Sequence, residues 1–223
     1  MLISERRNFV FIHNPKSGGT SIRRALLPFD TTGHFFWKFA ESNGQKFDKA
    51  HLPLASLKSI YPEYFSIVEK TFCFMVVRDP YARAVSAFNE SHSRLYQETF
   101  ETGDTPARLP AYRQRLNQFM TNLGRAQTQT LSLDYRHFGR QFDFAYLEQK
   151  RVVDLVMKLE EWPDCLRQLA VFLPEIAKSL VFAGKINARV MPGHFTDYLD
   201  EASIANLNEC YKEDFYVWGY PML

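Results

Sequence analysis

The sequence predicts an α/β fold with a mostly parallel central sheet flanked by helices. Two short apolar runs, Asn8 to His13 (NFVFIH) and Thr71 to Val77 (TFCFMVV), have the form of strands that are buried on both faces. Each run leads into a segment with helical character, and such alternation is typical of parallel sheets with crossover helices. Ligands of these sheets bind at the carboxyl ends of the strands, so we expect a site where the two runs end.

The rest of the chain continues the alternation of strands and helices. Thr20 to Leu27 has a helical apolar pattern, and Asp79-Pro80 supplies the capping aspartate and first-turn proline that begin another helix. Further along, the patterns predict in order a strand at Val152 to Leu159, a helix at Glu160 to Leu173, a strand at Leu180 to Ala183 and a closing amphipathic helix at Asp200 to Phe215. Since no repeat or linker divides the chain, we expect a single domain over residues 1–223.

The distribution of charge points to small anionic ligands. The net charge is only +2, but residues 6–29 carry five basic and no acidic side chains. Residues 105–140 carry six arginines and a single acidic residue, Asp134. A nucleic-acid-binding surface needs a broader positive excess, so we expect no nucleic-acid partner, and the oligomeric state is left open.

The cysteines and the hydropathy exclude other classes of protein. Cys73, Cys165 and Cys210 are far apart and form no CxxC pair or His/Cys cluster, so neither a disulfide framework nor a metal site is predicted. Cys73 is expected to be a buried, reduced thiol. No apolar segment reaches the roughly 18 residues that span a bilayer, and the first residues lack a signal-peptide pattern. The expected location is therefore cytoplasmic.

The first motif lies where the first predicted strand ends, in FVFIHNPKSGGTS (residues 9–21). We call residues 16–21 (KSGGTS) the glycine loop. The first amides of a helix have no internal partner, and the helix dipole favours an anion there. Gly18 and Gly19 let the backbone approach a phosphate, while Lys16 adds a positive charge. The alternative is an ordinary strand-to-helix turn.

The glycine loop differs from the nucleotide pattern GxxxxGK[ST]. In that pattern the lysine follows the glycines, whereas Lys16 precedes them. The loop is therefore P-loop-like, within a three-layer fold, but is not that of a P-loop kinase or GTPase. Ser17 follows Lys16 but precedes the glycines, so a magnesium ligand of the Walker type is not implied.

The second motif, VVRDPYARAVSAF (residues 76–88), lies where the second predicted strand ends. Arg78 and Ser86 can together bind one phosphate, through a guanidinium fork and a hydroxyl. Alternatively, Ser86 packs inside the helix. For Arg83 we favour a local ion pair with Asp79, one helical turn away.

These two motifs resemble the paired 5′- and 3′-phosphate motifs of sulfotransferases that use 3′-phosphoadenosine 5′-phosphosulfate (PAPS). The likeness is greatest to the carbohydrate-type branch, in which a histidine lies between the motifs as His51 does in KAHLPLASL. Three later stretches are similar to that branch as well, namely LEEWPDCLRQL (159–169), KINAR (185–189) and YKEDFYVWGYP (211–221). About residues 92 to 124 have no counterpart, and Ser17 replaces the more usual threonine.

The resemblance implies a role for each matching residue. PAPS is the implied co-substrate, with no metal. The implied cofactor-binding residues of the glycine loop are Lys16, Ser17, Gly18, Gly19, Thr20 and Ser21, and the last four of these would hold the 5′-phosphate. Arg78 and Ser86 would hold the 3′-phosphate. Lys16 would also neutralise the charge that develops on the leaving oxygen.

Transfer to an alcohol needs a base, and histidine suits this role at neutral pH. We expect His51 to be the base; the alternative is a loop histidine that caps the helix near Leu54. His13 ends the first strand and is expected to shape the glycine loop. The other histidines are ranked lower: His34 and His92 are placed near the cleft, and His137 and His194 at the surface.

The acceptor is predicted to be a carbohydrate or glycoconjugate. Arginines between Arg108 and Arg140 would suit a sugar that bears carboxylate or sulfate, but a solvated helical face is the equal alternative. Arg189 would reach the 3′-phosphate region or lie at a sheet edge, and Gln127 is expected to fix its own loop. The sequence does not identify the adenine-binding aromatic residues.

The predicted function is therefore a PAPS-dependent sulfotransferase. One alternative is a P-loop-type kinase, against which the absent GK[ST] argues. The other is a non-catalytic nucleotide-binding module that has lost its base.

Overall fold

The computed structural model describes residues 1–42, 44–102, 105–181 and 191–223. The strands in these ranges are β1 Leu2–Ser4, β2 Phe9–Ile12, β3 Phe39–Ser42, β4 Gln45–Asp48, β5 Phe72–Val77, β6 Tyr146–Leu147, β7 Lys150–Arg151 and β8 Leu155–Lys158. The α-helices are α1 Gly19–Leu26, α2 Leu54–Ile60, α3 Pro62–Lys70, α4 Pro80–Ser91, α5 Ser93–Phe100, α6 Thr105–Asn122, α7 Phe142–Ala145, α8 Trp162–Phe172, α9 Pro174–Val181, α10 Glu201–Cys210 and α11 Lys212–Trp218.

The chain divides into two compact units. The first comprises Met1–Arg78 and Leu131–Ala188, and the second comprises Asp79–Thr130 and Arg189–Leu223. That residues 1–223 form one domain stays a prediction.

The first unit is built on a sheet with the strand order β1-β2-β5-β8. β1 is antiparallel to β2, whereas β2, β5 and β8 are parallel, with Ile12 beside Met75 and Val77 beside Lys158. The predicted α/β fold with a mostly parallel sheet is thus confirmed. Because parallel strands end at the same edge, the residues that follow β2 and β5 lie at one edge of the sheet.

Both faces of the sheet are buried. Phe11, Phe74 and Met157 contribute to a core that includes apolar side chains of α1, α8 and α9. On the alternate positions, Cys73 and Met75 are also fully buried. Burial on both faces explains why the sequences of β2 and β5 are continuous apolar runs. The expected buried, reduced thiol at Cys73 is confirmed. Burial raises the pKa of this thiol to about 12.

The predicted strand at Leu180 to Ala183 is wrong over its described part. Leu180 and Val181 belong to α9, in which Ile176, Ala177 and Leu180 face the core with helical spacing. Four apolar or small residues in a row are too few to distinguish a strand from the end of a helix. Ala183 lies outside the described residues.

The second unit is helical in its described residues. α4 begins as predicted, because the Asp79 carboxylate accepts a hydrogen bond from the Ala82 N–H at 2.9 Å and Pro80 occupies the first turn. In place of one closing helix, α10 and α11 are separated at Tyr211, whose ring is fully buried and lies 4.9 Å from the Arg83 guanidinium. The local sequence pattern predicted a single helix because it does not show that the Tyr211 ring must be buried.

Candidate active site

The glycine loop ends in backbone donors at the start of α1. Gly18 caps the helix with a φ of 76°, a left-handed conformation that glycine adopts without a Cβ penalty. Its carbonyl accepts from the N–H groups of Ser21 and Ile22, at 3.1 and 3.3 Å. In the described part of the chain, the N–H groups of Gly18, Gly19 and Thr20 donate to no acceptor. These donors at a helix N-terminus suit a phosphate.

Gly19 is in close contact with the imidazole of His13. A Cβ added to Gly19 would lie 2.0 Å from Cδ2 and 2.1 Å from Nε2 of His13. His13 is only 5% exposed and also stacks on Phe11, with ring centroids 5.9 Å apart. The contact is consistent with the expected role of His13 in shaping the loop, and it requires glycine at position 19.

His51 lies within ring contact of two other histidines. Its ring centroid is 4.4 Å from that of His13 and 5.3 Å from that of His137. His51 Nδ1 is 3.1 Å from the carbonyl oxygen of His13. A carbonyl only accepts hydrogen bonds, so Nδ1 carries the proton and Nε2 of the neutral ring keeps its lone pair. Among the described residues, Nε2 has no hydrogen-bond partner.

The expected surface position of His137 is wrong. Its side chain is 8% exposed and meets His51 edge-on, whereas His194 is exposed as expected. The sequence gives no signal for this placement, because 86 residues separate His137 from His51 and the contact depends on the tertiary fold.

Burial keeps His51 and His13 neutral at neutral pH. It lowers the pKa of His51 to about 4, although the nearby Asp48 carboxylate opposes the change. It also lowers the pKa of His13 well below its ordinary value, with the charge of His51 as the next cause. His51 is therefore in the form that can accept a proton at neutral pH.

Arg78 connects the two motifs of the sequence. It follows β5 directly, and its Nη1 lies 3.4 Å from the carbonyl oxygen of Lys16 in the glycine loop. The glycine loop and Arg78 therefore meet at one edge of the sheet, as the sequence predicts. Lys16 itself has a left-handed φ of 63° and is half-buried.

Comparison with known families decides what kind of protein this is. The profile of the sulfotransferase family matches residues 1–221. The chain belongs to the sulfotransferase family. It is an enzyme that uses PAPS as its co-substrate. Searches of curated proteins and of solved structures found no match.

The residues of the sulfotransferase that meet at the sheet edge fit PAPS. The donors of Gly18, Gly19 and Thr20 offer hydrogen bonds to an anion, and Arg78 brings a guanidinium to the same loop. Ser86 is a half-buried residue of α4 in the second unit. Its sharing of one phosphate with Arg78 stays a prediction.

Two buried amides of the sulfotransferase were missed by the sequence analysis. Asn14 Nδ2 lies 2.9 Å from Ser17 Oγ and 2.8 Å from Gln141 Oε1. Asn14 is 2% exposed and Gln141 is fully buried. The position of Asn14 between the strand and the glycine loop is a signal that could have been read. Gln141 lies too far along the chain for any local pattern to connect it.

Several other candidate residues have internal partners in the sulfotransferase. Arg83 is fully buried with its guanidinium 3.8 Å from the Asp214 carboxylate, and the local ion pair with Asp79 stays a prediction. A Cβ on Gly124 would lie 2.3 Å from Gln127 Oε1, so this side chain lies against its own loop, and its role in fixing the loop stays a prediction. Arg189 and the KINAR stretch lie outside the described residues.

The arginines of residues 105–140 have mixed surroundings. Arg115 is exposed on α6, as in a solvated helical face, whereas the exposed Arg113 donates from Nη2 to the Asp197 carbonyl oxygen at 2.6 Å. Arg136 lies 3.8 Å from Asp48, and Arg140 forms a two-point ion pair with Asp143.

Among the described residues, no helix has the length and hydropathy needed to cross a membrane, and no group of His, Cys, Asp and Glu could hold a metal ion.

Gly19→Ala should destabilise the sulfotransferase although alanine is the better helix former. The added methyl group would overlap the His13 ring, and overpacking of this kind costs about 1–3 kcal/mol in free energy of unfolding. Urea denaturation measures this loss. In a His13→Ala background the same substitution should cost less, because the ring is absent. An equal loss in both backgrounds would show that His13 is not the obstacle.

Proposed function

We propose that this sulfotransferase transfers a sulfuryl group to a hydroxyl of a carbohydrate or glycoconjugate, including sugars that carry anionic groups. When bound, PAPS supplies the activated sulfuryl group and carries phosphates at two separated ends. Support for transfer to a hydroxyl comes mainly from the placement of His51. This histidine is neutral, and its Nδ1 donates to the His13 carbonyl. The ring of His13 contacts both His51 and Gly19, so His51 lies close to the glycine loop.

Two sets of residues bind the two ends of the nucleotide. The glycine loop binds the 5′-phosphate end through the backbone amides of Gly18, Gly19 and Thr20, with hydroxyls of Ser17, Thr20 and Ser21 nearby in sequence. Arg78 and Ser86 bind the 3′-phosphate. The contact between Arg78 Nη1 and the Lys16 carbonyl supports this division, because it brings the two binding stretches together.

His51 and Lys16 act on the two sides of the transferred group. His51 Nε2 takes the proton of the acceptor hydroxyl as its oxygen forms a bond to sulfur. The bond from sulfur to the phosphate oxygen breaks at the same time, and the Lys16 ammonium neutralises the negative charge left on that oxygen. The second product is adenosine 3′,5′-bisphosphate.

The choice of a carbohydrate acceptor is supported by the resemblance of His51 and its flanking residues to the histidine of the carbohydrate-type branch. Arg115 is exposed on α6, whereas the Arg113 guanidinium donates to the Asp197 carbonyl oxygen and lies over the Tyr198 ring. The Arg115 guanidinium can form forked hydrogen bonds with a carboxylate or sulfate, which supports an anionic sugar.

Radiolabelled PAPS tests the proposal directly. The enzyme is incubated with a panel that contains non-sulfated polysaccharide, partly sulfated polysaccharide and 4-nitrophenol, and label is counted in each separated acceptor. We expect label in polysaccharide and none in the phenol. Label in the phenol alone would contradict the carbohydrate acceptor. Tight binding of adenosine 3′,5′-bisphosphate without any labelled product would favour a non-catalytic module.

A further inference from the structure

Gln141 occupies the point where the glycine loop and the end of β5 meet. Its side chain is fully buried, and it directly precedes α7. Oε1 accepts from the Arg78 N–H at 2.9 Å and from Asn14 Nδ2 at 2.8 Å, while Nε2 donates to the Arg78 carbonyl at 2.8 Å. Ser17 Oγ lies 3.4 Å from the same oxygen. One amide thus binds both motifs.

The bonds to Arg78 take the place of a strand. β5 ends at Val77, so the N–H and carbonyl of Arg78 lie just beyond the strand. Gln141 engages both groups as the backbone of a neighbouring strand would. Buried backbone groups need partners, so loss of this amide would remove two hydrogen bonds from the Arg78 backbone and loosen its position.

The backbone on either side of Gln141 is held by an ion pair between its neighbours. Arg140 donates from Nε and Nη2 to the two carboxylate oxygens of Asp143, at 2.9 and 2.6 Å, and Arg140 is 8% exposed. This forked ion pair flanks Gln141 at the start of α7, and such two-point pairs are geometrically specific. The contact of Arg78 Nη1 with the Lys16 carbonyl oxygen is 3.4 Å long, whereas the two hydrogen bonds between Gln141 and the Arg78 backbone are 2.9 and 2.8 Å long.

We propose that Gln141 is a positioning residue that sets the spacing between the two phosphate-binding stretches. By holding the backbone of Arg78 and, through Asn14 and Ser17, the glycine loop, it keeps the 3′-phosphate ligand at a fixed distance from the 5′-phosphate site. Gln141 touches neither phosphate in this scheme. The inference rests on the proposed role of Arg78 in binding the 3′-phosphate.

The test compares two nucleotides that differ only in the 3′-phosphate. Calorimetric Kd values for adenosine 3′,5′-bisphosphate and adenosine 5′-monophosphate give a preference ratio for each variant. Gln141→Met keeps the length of the side chain but removes its hydrogen bonds. We expect it to lower the ratio by about tenfold, because the 3′-phosphate loses a correctly placed Arg78. Gln168→Met, on the exposed face of α8, should leave the ratio unchanged.

Two further variants separate positioning from a general effect on stability. In an Arg78→Met background, Gln141→Met should lower the ratio no further, since the residue through which it acts is gone. If Gln141→Met does not fold, Gln141→Glu keeps the shape and lacks the donor to the Arg78 carbonyl, and the same fall is expected. A lower melting temperature with an unchanged ratio would overturn the inference.

Failure of the inference and failure of the proposed function give different results. A wild-type enzyme that prefers the bisphosphate, together with a Gln141→Met variant that keeps this preference, overturns only the role of Gln141. A wild-type enzyme with no preference for the bisphosphate overturns the assignment of the 3′-phosphate site, and the inference with it.

Discussion

His51→Ala should lower kcat/KM for sulfuryl transfer by at least about 10²-fold, the usual contribution of a positioned general base. The affinity for adenosine 3′,5′-bisphosphate should change little, because His51 contacts His13 and His137 and not the donors of the glycine loop. Transfer of label from PAPS measures the first quantity, and calorimetry with the bisphosphate measures the second.

His194→Ala is the matched control for this substitution. His194 is exposed and its Nδ1 is 2.6 Å from Thr196 Oγ1, so its removal should leave transfer unchanged. A His51→Ala enzyme with a near-normal rate would mean that another group takes the proton. His13 would then be tested next, since it is the ring closest to Gly19.

The pH dependence of kcat/KM gives an independent check on His51. A base must be neutral to act, so the rate falls as the pH drops through the pKa of the free enzyme's base. Since burial lowers the pKa of His51 from 6.5 to about 4, the acid limb should lie near pH 4 and the rate should be level between there and neutral pH. An acid limb near 6.5 would indicate a solvated histidine instead.

Lys16→Ala should lower kcat by about 10²- to 10³-fold, as removal of a group that stabilises transition-state charge does. The Kd for adenosine 3′,5′-bisphosphate should rise much less, because the backbone amides that hold the 5′-phosphate remain. The substitution adds no backbone strain at the left-handed φ of 63°, since both residues carry a Cβ. Arg78 also keeps its contact, which is to the Lys16 carbonyl.

Single-turnover rates and calorimetry separate the two effects of the Lys16 variant. Lys46→Ala, at an exposed position of β4, should change neither quantity. Lys16→Arg should recover part of the rate, because the charge is retained while its placement differs. A weaker Kd for adenosine 3′,5′-bisphosphate with an unchanged single-turnover rate would show that Lys16 contributes to affinity alone.

The parts of the fold and site that local pattern encodes were predictable. The apolar runs predicted β2 and β5, and Asp79-Pro80 predicted the start of α4. The meeting of Lys16 and Arg78 followed from one general property, that parallel strands end at the same edge of a sheet. These features depend on residues adjacent in sequence or on a topological rule.

The remaining parts depend on packing between distant residues. Gln141 is 63 residues from Arg78, and a lone glutamine carries no pattern that indicates burial. His137 was expected at the surface because nothing near it in sequence requires burial. Leu180 was assigned to a strand because a short apolar run shows neither helical nor strand periodicity. In the structure it belongs to α9, whose apolar side chains pack against the core.

The hydrogen bond that orients His51 comes from the main chain of His13, and this has a consequence for evolution and engineering. Every amino acid supplies the same carbonyl, so no exchange of side chain at position 13 can delete the group that fixes where the imidazole proton resides. The tautomer of His51 is therefore set by the path of the main chain. Insertions or deletions after Ile12 would move the His13 carbonyl away from His51 Nδ1 and so remove the hydrogen bond that fixes the tautomer.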